Sequence, residues 1–133
     1  MSQENIEIVQ AAFEAFESGD MQGVMRLCDE NIEIIQDPEL LGASPRQYGH
    51  AGVLEAFAIW PEQWDDFRVE VLRIVDLGER VLASTMQRGR GKGSGVEVET
   101  SFSFVFSLRA GKITAWRIFM REEDAVSAVG LGG

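Results

Sequence analysis

Residues 95–120, GVEVETSFSFVFSLRAGKITAWRIFM, have the clearest period in the chain. In their first half, large apolar side chains alternate with serine and valine, and these large residues are Phe102, Phe104, Phe106 and Leu108. A strand shows this two-residue period when its two faces meet different surroundings. Ala110 and Gly111 then permit a tight reversal, after which Trp116 and Ile118 again share one side. The stretch predicts a long antiparallel hairpin with one aromatic face that other elements must cover.

Length, charge and cysteine content limit the class of protein. A chain of 133 residues predicts one domain over residues 1–133, able to bury roughly two thirds of its unfolded surface. The net charge of -10 argues against nucleic acid or an anionic membrane as a partner. Cys28 is the only cysteine, which excludes an internal disulfide and predicts an inert core thiol. The acidic first ten residues and the lack of a long apolar run predict a cytoplasmic protein.

The rest of the chain supplies helices first and strands afterwards. The predicted elements are a helix over about residues 3–18, a second helix capped by Asp20 that ends in the polar run 29–31, a strand at 32–36, a loop at 39–47, a third helix from Gly49 to Trp60, strands at 67–75 and 81–87, the glycine-rich connection 89–95, the hairpin and a final helix over 122–129. This order predicts an α+β fold, in which a curved antiparallel sheet wraps around three helices from the N-terminal half as a cone-shaped barrel with a short C-terminal helix. Helices that do not fill such a cone leave a pocket.

Three segments carry a resemblance to a known superfamily. They are ESGDMQGVMRLCDENIEI at 17–34, YGHAGVLEAF at 48–57 and LRAGKITAWRIF at 108–119. Together with the element order, they resemble the nuclear transport factor 2-like superfamily, and in particular its SnoaL-like branch, over essentially the whole chain. The resemblance implies a conical fold, but it does not fix one chemistry, because the superfamily includes isomerases, cyclases, epoxide hydrolases, dehydratases and members without known catalysis.

Within this superfamily, residues 18–39 are similar to part of the ketosteroid isomerases, where an aspartate before a proline is the general base. Asp37 matches that aspartate. The two hydrogen-bond donors of those enzymes are not matched, because Ala12 or Phe13 and then Phe104 occupy the corresponding positions. Loss of one such donor typically costs on the order of a hundredfold in rate. The resemblance therefore implies an aspartate acid or base, but not steroid isomerisation.

Asp37 and His50 are the candidate catalytic residues. Asp37 is interpreted as an acid or base beside an apolar cavity, or alternatively as the initiator of the turn before Pro38. His50, the only histidine, is either a polar group of the pocket beside Tyr48 or a partner for backbone groups at the helix entrance. A lone histidine builds no histidine-rich metal site, and we expect neither a metal nor an organic cofactor. If Asp37 and His50 lie within hydrogen-bonding reach, they form a proton relay.

The expected ligand is a small apolar or aromatic molecule in a conical pocket. Its candidate contacts, each of which is alternatively a plain core residue, are Tyr48, Phe16, Phe57, Trp60, Phe104, Phe106, Trp116 and Met120. The leading hypothesis is a cofactor-independent isomerase, cyclase or hydrolase that uses Asp37. The alternative is a ligand-binding or dimerisation module without catalysis.

Two further surface features point to assembly and charge pairing. Small or apolar residues stand where a solvated sheet face usually carries charge, and they predict a homodimer through Ser101, Ser103, Val105, Ser107 and Phe119.

The GRGKGSG segment joins two strands, so it is interpreted as a hairpin connection and not as a phosphate-binding loop. Glu70, Glu97 and Glu99 are either paired catalytic carboxylates or exposed charges at the sheet edge.

Overall fold

The described residues form four helices and six strands. The structure is a computed structural model, and it describes residues 2–37, 46–57 and 63–130. The elements in chain order are α1 (Ser2–Ser18), α2 (Met21–Arg26), β1 (Cys28–Gln36), β2 (Arg46–Tyr48), α3 (Gly49–Phe57), β3 (Trp64–Asp76), β4 (Arg80–Gly91), β5 (Glu97–Arg109), β6 (Lys112–Phe119) and α4 (Glu122–Ala128). Helices α1 to α3 come from the N-terminal half and α4 is the short C-terminal helix, which confirms the predicted α+β class.

The six strands form one curved sheet that does not close into a barrel. The strand order is β2-β1-β6-β5-β4-β3. Neighbouring strands are antiparallel except for β1 and β6, which are parallel. The prediction of a wholly antiparallel sheet is wrong for this pair. A tight turn forces neighbouring strands to be antiparallel, whereas β1 and β6 are separated by most of the chain and are under no such constraint.

The predicted hairpin is confirmed as β5 and β6. Phe104 lies opposite Ile118 and Phe106 lies opposite Trp116 across the two strands. The reversal at Ala110 and Gly111 has positive φ at both residues, 52° and 78°. Two consecutive residues with positive φ match the twist of antiparallel strands in a two-residue hairpin loop, and glycine tolerates this conformation at the second position. The local sequence therefore sets the register of the aromatic face.

The inner face of the sheet and the helices α1 and α3 share one aromatic core. Phe13 of α1 packs on Phe104 and Phe106, with ring centroids 5.4 and 5.6 Å away. Phe57 of α3 lies over Trp116, with centroids 4.7 Å apart. Aromatic pairs of this kind contribute about 0.5–1.5 kcal/mol each beyond the area that they bury. The helical stripes predicted from the sequence thus cover the face that the hairpin presents.

Helix α4 lies on the outer face of the sheet and forms a second, smaller core there. Its buried members are Leu82, Val105, Ala125 and Val129. Glu122, at the start of α4, accepts a hydrogen bond from the Ser84 hydroxyl, which lies 3.2 Å from the hydroxyl of Ser103. Two residues of the predicted dimer face, Ser103 and Val105, are therefore buried within their own chain, whereas Ser101 is exposed.

The largest differences from the sequence prediction concern the start of β1 and the short strand β2. β1 begins at Cys28, although the following polar run predicted the end of a helix. The Asp29 carboxylate accepts the Asn31 backbone N–H at 2.8 Å, and the pairing of β1 with β6 shifts register between Cys28 and Glu33. β2 falls partly in the predicted loop, and its pairing with β1 is supported by an ion pair between Arg46 and Glu33.

The remaining boundaries differ by a few residues. β4 continues to Gly91, so the glycine-rich connection is shorter than predicted. Leu54 was expected on the buried stripe of the third helix but is 42% exposed. Trp60, the predicted end of that helix, lies outside the described residues. Within the described ranges, no helix is long and apolar enough to span a membrane.

Candidate functional site

A small cavity lies between the helices and the inner face of the sheet. Its volume is about 30 Å³, and the residues that line it are Phe13, Phe16, Gln36, Ala56, Phe57, Gln87, Phe102, Phe104, Trp116 and Ile118. A water needs roughly 10–15 Å³ in this measure, so the cavity as it stands has room for about two waters. Its walls are mainly aromatic. The described residues that line it include no charged side chain.

The predicted ligand contacts divide between cavity walls and deeper core. Phe16, Phe57, Phe104 and Trp116 line the cavity. Phe106 and Met120 belong to the core or pack against it, but neither is among the lining residues. Phe106 is fully buried against Trp116, with ring centroids 4.8 Å apart. A ligand role for Phe106 would therefore be indirect.

Two glutamine side chains are the polar groups of this cavity that the sequence analysis missed. Gln36 Nε2 donates a hydrogen bond to Gln47 Oε1 at 3.0 Å, which leaves the Gln36 carbonyl oxygen as an acceptor. Gln87 is 8% exposed, and its side chain lines the cavity from β4. The signal was present in the sequence. Alternation continues the inward face of β1 from Ile34 to Gln36, and that of β4 from Ala83 through Thr85 to Gln87.

Trp116, one of the residues that line this cavity, carries a donor in an unusual environment. Trp116 is 1% exposed, and its Nε1 has no hydrogen-bond acceptor among the residues that the structure describes. Buried indole N–H groups usually find a partner, because desolvating an unpaired donor is costly. Trp116 therefore lines the cavity, while its indole N–H is buried and unsatisfied among the described residues.

A second cavity of about 90 Å³ adjoins the first near the end of β4. Its lining residues are Trp64, Phe67, Gln87, Arg88, Gly89, Val98, Thr100 and Phe102. Gln87 and Phe102 line both cavities. Arg88 also lines this second cavity, but its guanidinium pairs with Glu99 at 2.6 Å and is largely exposed.

Asp37 lies beyond the end of β1, in a different groove. Its Oδ2 accepts a hydrogen bond from the Met120 backbone N–H at 3.0 Å. The groove has a volume of about 210 Å³, is lined also by Ile35 and Arg117, and shares Gln36 and Ile118 with the aromatic cavity. Because Gln36 faces the cavity, strand alternation turns its neighbours Ile35 and Asp37 outward. Asp37 is not among the described residues that line the aromatic cavity, and its acid–base role stays a prediction.

His50 and Tyr48 also lie away from the aromatic cavity. His50 Nε2 is 3.1 Å from the Cys28 carbonyl oxygen, at the start of β1, whereas Asp37 follows the end of that strand. The condition for a proton relay between His50 and Asp37 is therefore not met. Tyr48 is 61% exposed, because the inward position of β2 is taken by its neighbour Gln47. Neither side chain is among the described residues that line the aromatic cavity, and their roles in the pocket stay predictions; the contact of His50 with a backbone carbonyl agrees with its alternative interpretation.

The three glutamates considered as paired carboxylates belong to an ionic network on the outer face. Arg88 pairs with Glu70 and Glu99, and Arg90 pairs with Glu97. All of these side chains are about half exposed or more. Each carboxylate thus has a cationic partner at the surface, which agrees with the interpretation as edge charges.

The family is decided by a match that covers most of the chain. Residues 9–116 match the sequence profile of the SnoaL-like domain. The chain belongs to the SnoaL-like family. Membership supports a role as a small-molecule enzyme or as a ligand-binding protein, without fixing an activity or a catalytic residue. No curated protein matches this SnoaL-like chain.

Solved structures agree with the family at the level of the fold. TerC co-crystallized with polyporic acid has a TM-score of 0.77 and 22% identity, and the alignment covers 96% of this chain and 97% of TerC. A putative SnoaL-like polyketide cyclase from Jannaschia sp. has a TM-score of 0.78 and 15% identity, with coverages of 99% and 94%. An NTF2-like protein from Burkholderia xenovorans is 28% identical with a TM-score of 0.70, with coverages of 96% and 97%. The SnoaL-like chain therefore has the conical NTF2-like fold.

Proposed function

We propose that this SnoaL-like protein binds a small apolar or aromatic molecule inside its cone. The observation that carries the proposal is the aromatic cavity with two glutamine amides and, among its described lining residues, no charged side chain. Binding pockets commonly combine apolar walls with a few polar groups that orient the ligand. The crystallisation of TerC with polyporic acid gives a precedent on the same fold.

The size of the cavity limits the ligand. Drug-sized ligands occupy pockets of roughly 300–1,000 Å³, whereas this cavity has about 30 Å³. Binding therefore requires side chains to move, and it favours a molecule with a single ring. Ala56 is the smallest side chain among the cavity walls, so this position on α3 controls the available space.

The test is to fill the cavity at Ala56 and to measure binding of single-ring probes. Toluene, phenol and acetophenone are titrated into labelled protein, and amide chemical shifts are followed by NMR. We expect saturable shifts in residues around the cavity, and an affinity lower by about tenfold or more in Ala56→Leu, since the larger isobutyl side chain occupies the site. Ala51→Leu is the matched control, because Ala51 lies exposed on the same helix.

Two results would contradict binding in the cone. The first is that none of the three probes gives saturable shifts with the unmodified protein. The second is that Ala56→Leu and Ala51→Leu bind a probe equally well, which would place the site elsewhere.

Acid–base catalysis by Asp37 is a second candidate function. The observation that favours it is position, because Asp37 directly follows the cavity residue Gln36 and its carboxylate is fixed by the Met120 N–H. The test is hydrogen–deuterium exchange at the methyl group of acetophenone in D₂O. General base catalysis typically contributes 10²- to 10⁴-fold, so we expect Asp37→Asn to lose the acceleration while retaining binding. Equal exchange with and without the protein would count against this function.

The proposed assembly is a homodimer through the outer face of the sheet. Because Ser103 and Val105 are buried within the chain, the contact would use the remaining predicted residues, Ser101, Ser107 and Phe119. Sedimentation at micromolar concentration should give twice the mass of one chain. A mass of one chain would remove this proposal. The net charge of -10 supports the absence of nucleic acid as a partner, and cytoplasmic location remains a prediction for cell fractionation.

A further inference from the structure

A groove on the outer face of the sheet, between β1 and the start of α4, is larger than either cavity on the inner face. Its volume is about 210 Å³, compared with about 30 and about 90 Å³ for those cavities. Ile35 and Arg117 lie side by side on its floor, where β1 pairs with β6. Asp124 of α4 lines the groove from the side of the helix.

Arg117 brings a positive charge into this groove without a carboxylate that neutralises it. Its guanidinium carbon lies 5.0 Å from the centroid of the Phe119 ring, a cation–π contact. Among the described residues the guanidinium has no ion-pair or hydrogen-bond partner, and its Nε is buried. The terminal nitrogens are not among the buried unpaired atoms, so they are open to solvent. A partly buried guanidinium gains when an anionic group binds its terminal N–H donors.

Two carboxylates line the same groove, so a simple anion does not suit it. Asp37 accepts the Met120 backbone N–H, and Asp124 is exposed in the first turn of α4. Together with the net charge of -10, these carboxylates repel an anion, whereas Arg117 repels a cation. A molecule that carries both charges avoids both penalties. Its carboxylate would pair with Arg117 and its ammonium group with Asp124.

The apolar part of the groove indicates what else the ligand carries. Ile35, Ile118 and Phe119 are among the lining residues. Burial of an aliphatic side chain of the ligand against them is favourable, because it removes apolar surface from water. The lining therefore favours an amino acid with a branched aliphatic side chain over a small polar one.

We propose that the groove between β1 and α4 binds a free α-amino acid with an aliphatic side chain, whose carboxylate pairs with Arg117 and whose ammonium group pairs with Asp124. This site lies on the opposite face of the sheet from the proposed ligand site inside the cone. Binding at one site therefore does not require a ligand at the other.

The experiment compares three ligands that share one aliphatic chain. L-Leucine carries both charges, 4-methylpentanoate lacks the ammonium group, and 3-methylbutan-1-amine lacks the carboxylate. Each is titrated into ¹⁵N-labelled protein near neutral pH and at constant ionic strength, and the backbone amide shifts of residues 117–124 are followed by NMR. We expect leucine to bind about tenfold more tightly than either analogue, because each analogue lacks one charge-assisted hydrogen bond.

Two substitutions test the charged groups one at a time. Asp124→Asn should weaken leucine binding by about tenfold but not the binding of 4-methylpentanoate, which has no ammonium group. Arg117→Gln should weaken leucine binding but not the binding of the amine. Glu123→Gln is the matched control for Asp124→Asn, because Glu123 lies exposed in the same helical turn but is not among the described residues that line the groove.

The results that overturn the proposal concern charge and selectivity. No saturable shift with leucine would show that the groove is not an amino-acid site. Equal affinities for leucine and its two analogues would show that the paired charges do not select the ligand. Equal losses in Asp124→Asn and Glu123→Gln would trace the effect to net charge. Asp124 is exposed, so its variant should fold even if Arg117→Gln does not.

Two further measurements separate this site from the other proposals. Ala56→Leu fills the cavity inside the cone and should leave leucine binding unchanged, whereas a loss in this variant would place leucine in the cone. Sedimentation of Arg117→Gln should give the same mass as the unmodified protein. A lower mass, without binding of leucine to the unmodified protein, would assign Arg117 to the contact between copies and overturn the amino-acid site.

Discussion

Cys28 shows how burial determines the chemistry of one side chain. Burial raises the pKa of the Cys28 thiol from 9.0 to about 12, and the positive charge of Lys112 opposes the shift. The reactive form of a cysteine is the thiolate, so a buried thiol with this pKa is inert near neutral pH. The prediction of an inert core thiol thus has a physical basis in the structure, although the residue starts a strand and does not lie in a helix.

The raised pKa of Cys28 predicts how stability changes at alkaline pH. Well below pH 9.0 the thiol is protonated in both the folded and the unfolded chain, so its ionisation does not lower the free energy of unfolding there. Above that pH the unfolded chain ionises while the folded chain keeps the proton, so the free energy of unfolding falls by about 1.4 kcal/mol per pH unit up to the folded pKa. Urea unfolding of the natural protein and Cys28→Ala, at several values of pH from 8 to 11, measures the difference. Parallel curves for the two proteins would contradict the prediction.

The residues of the site could be predicted from the sequence only where the local pattern also fixed which face of a strand they occupy. Phe104 and Trp116 follow from strong alternation in the hairpin, and both line the cavity. Gln36 was missed because an amide side chain is neither apolar nor charged and so gives no signal for a core or catalytic position. Strand alternation from Ile34, which faces the core, would have placed Gln36 on the inner face. Tyr48 was placed in the pocket, but the facing of its short strand is set by pairing with β1, which no local pattern encodes.

Helix α4 depends on one polar contact as well as on its apolar face. Glu122 accepts a hydrogen bond from Ser84 beneath the start of the helix, and lies 3.9 Å from Arg73. Glu122→Ala removes the carboxylate that accepts the Ser84 hydroxyl, and we expect a loss of about 1–3 kcal/mol in unfolding free energy. Urea unfolding measures the change.

Glu123→Ala is the matched control for Glu122→Ala. Both residues lie in the first turn of α4, so each substitution removes one negative charge near the helix N-terminus. Glu123 is exposed, and its replacement should change stability by about 0.5 kcal/mol or less. If the two variants lose the same stability, the contact with Ser84 contributes nothing.

Elements with a local signal were predicted well, and elements that depend on distant pairing were not. The hairpin of β5 and β6 carries its own turn, with Ala110 and Gly111 at positive φ. The first residues of β1 carry polar side chains around a register shift, and β2 has only three residues. The start of β1 pairs with β6, far away in the sequence, and β2 depends on its pairing with β1, so neither contains enough information to be recognised alone.

For the whole molecule, the net charge should dominate the response to salt. The chain carries a charge of -10, and its ion pairs centred on Arg88 and Arg90 are exposed. Self-repulsion destabilises the compact state, whereas exposed ion pairs contribute only about 0–1 kcal/mol each. Between about 10 mM and about 150 mM salt the screening length falls from about 30 Å to about 8 Å. We expect the midpoint of thermal unfolding to rise over this range, and a fall would mean that the ion pairs outweigh the repulsion.

The parallel pair of β1 and β6 has a consequence for biosynthesis. β1 emerges from the ribosome early, but β6, its partner on the side toward the centre of the sheet, contains Trp116 and Ile118 and lies near the end of the chain. Until then the edge of β1 that pairs with β6 has no partner strand, and α3 has only part of the surface that it covers. Domains generally fold as units, and pairing over long sequence separations is slow. A nascent chain stalled before residue 112 should therefore remain sensitive to protease, and the cone should close only when β6 has left the exit tunnel.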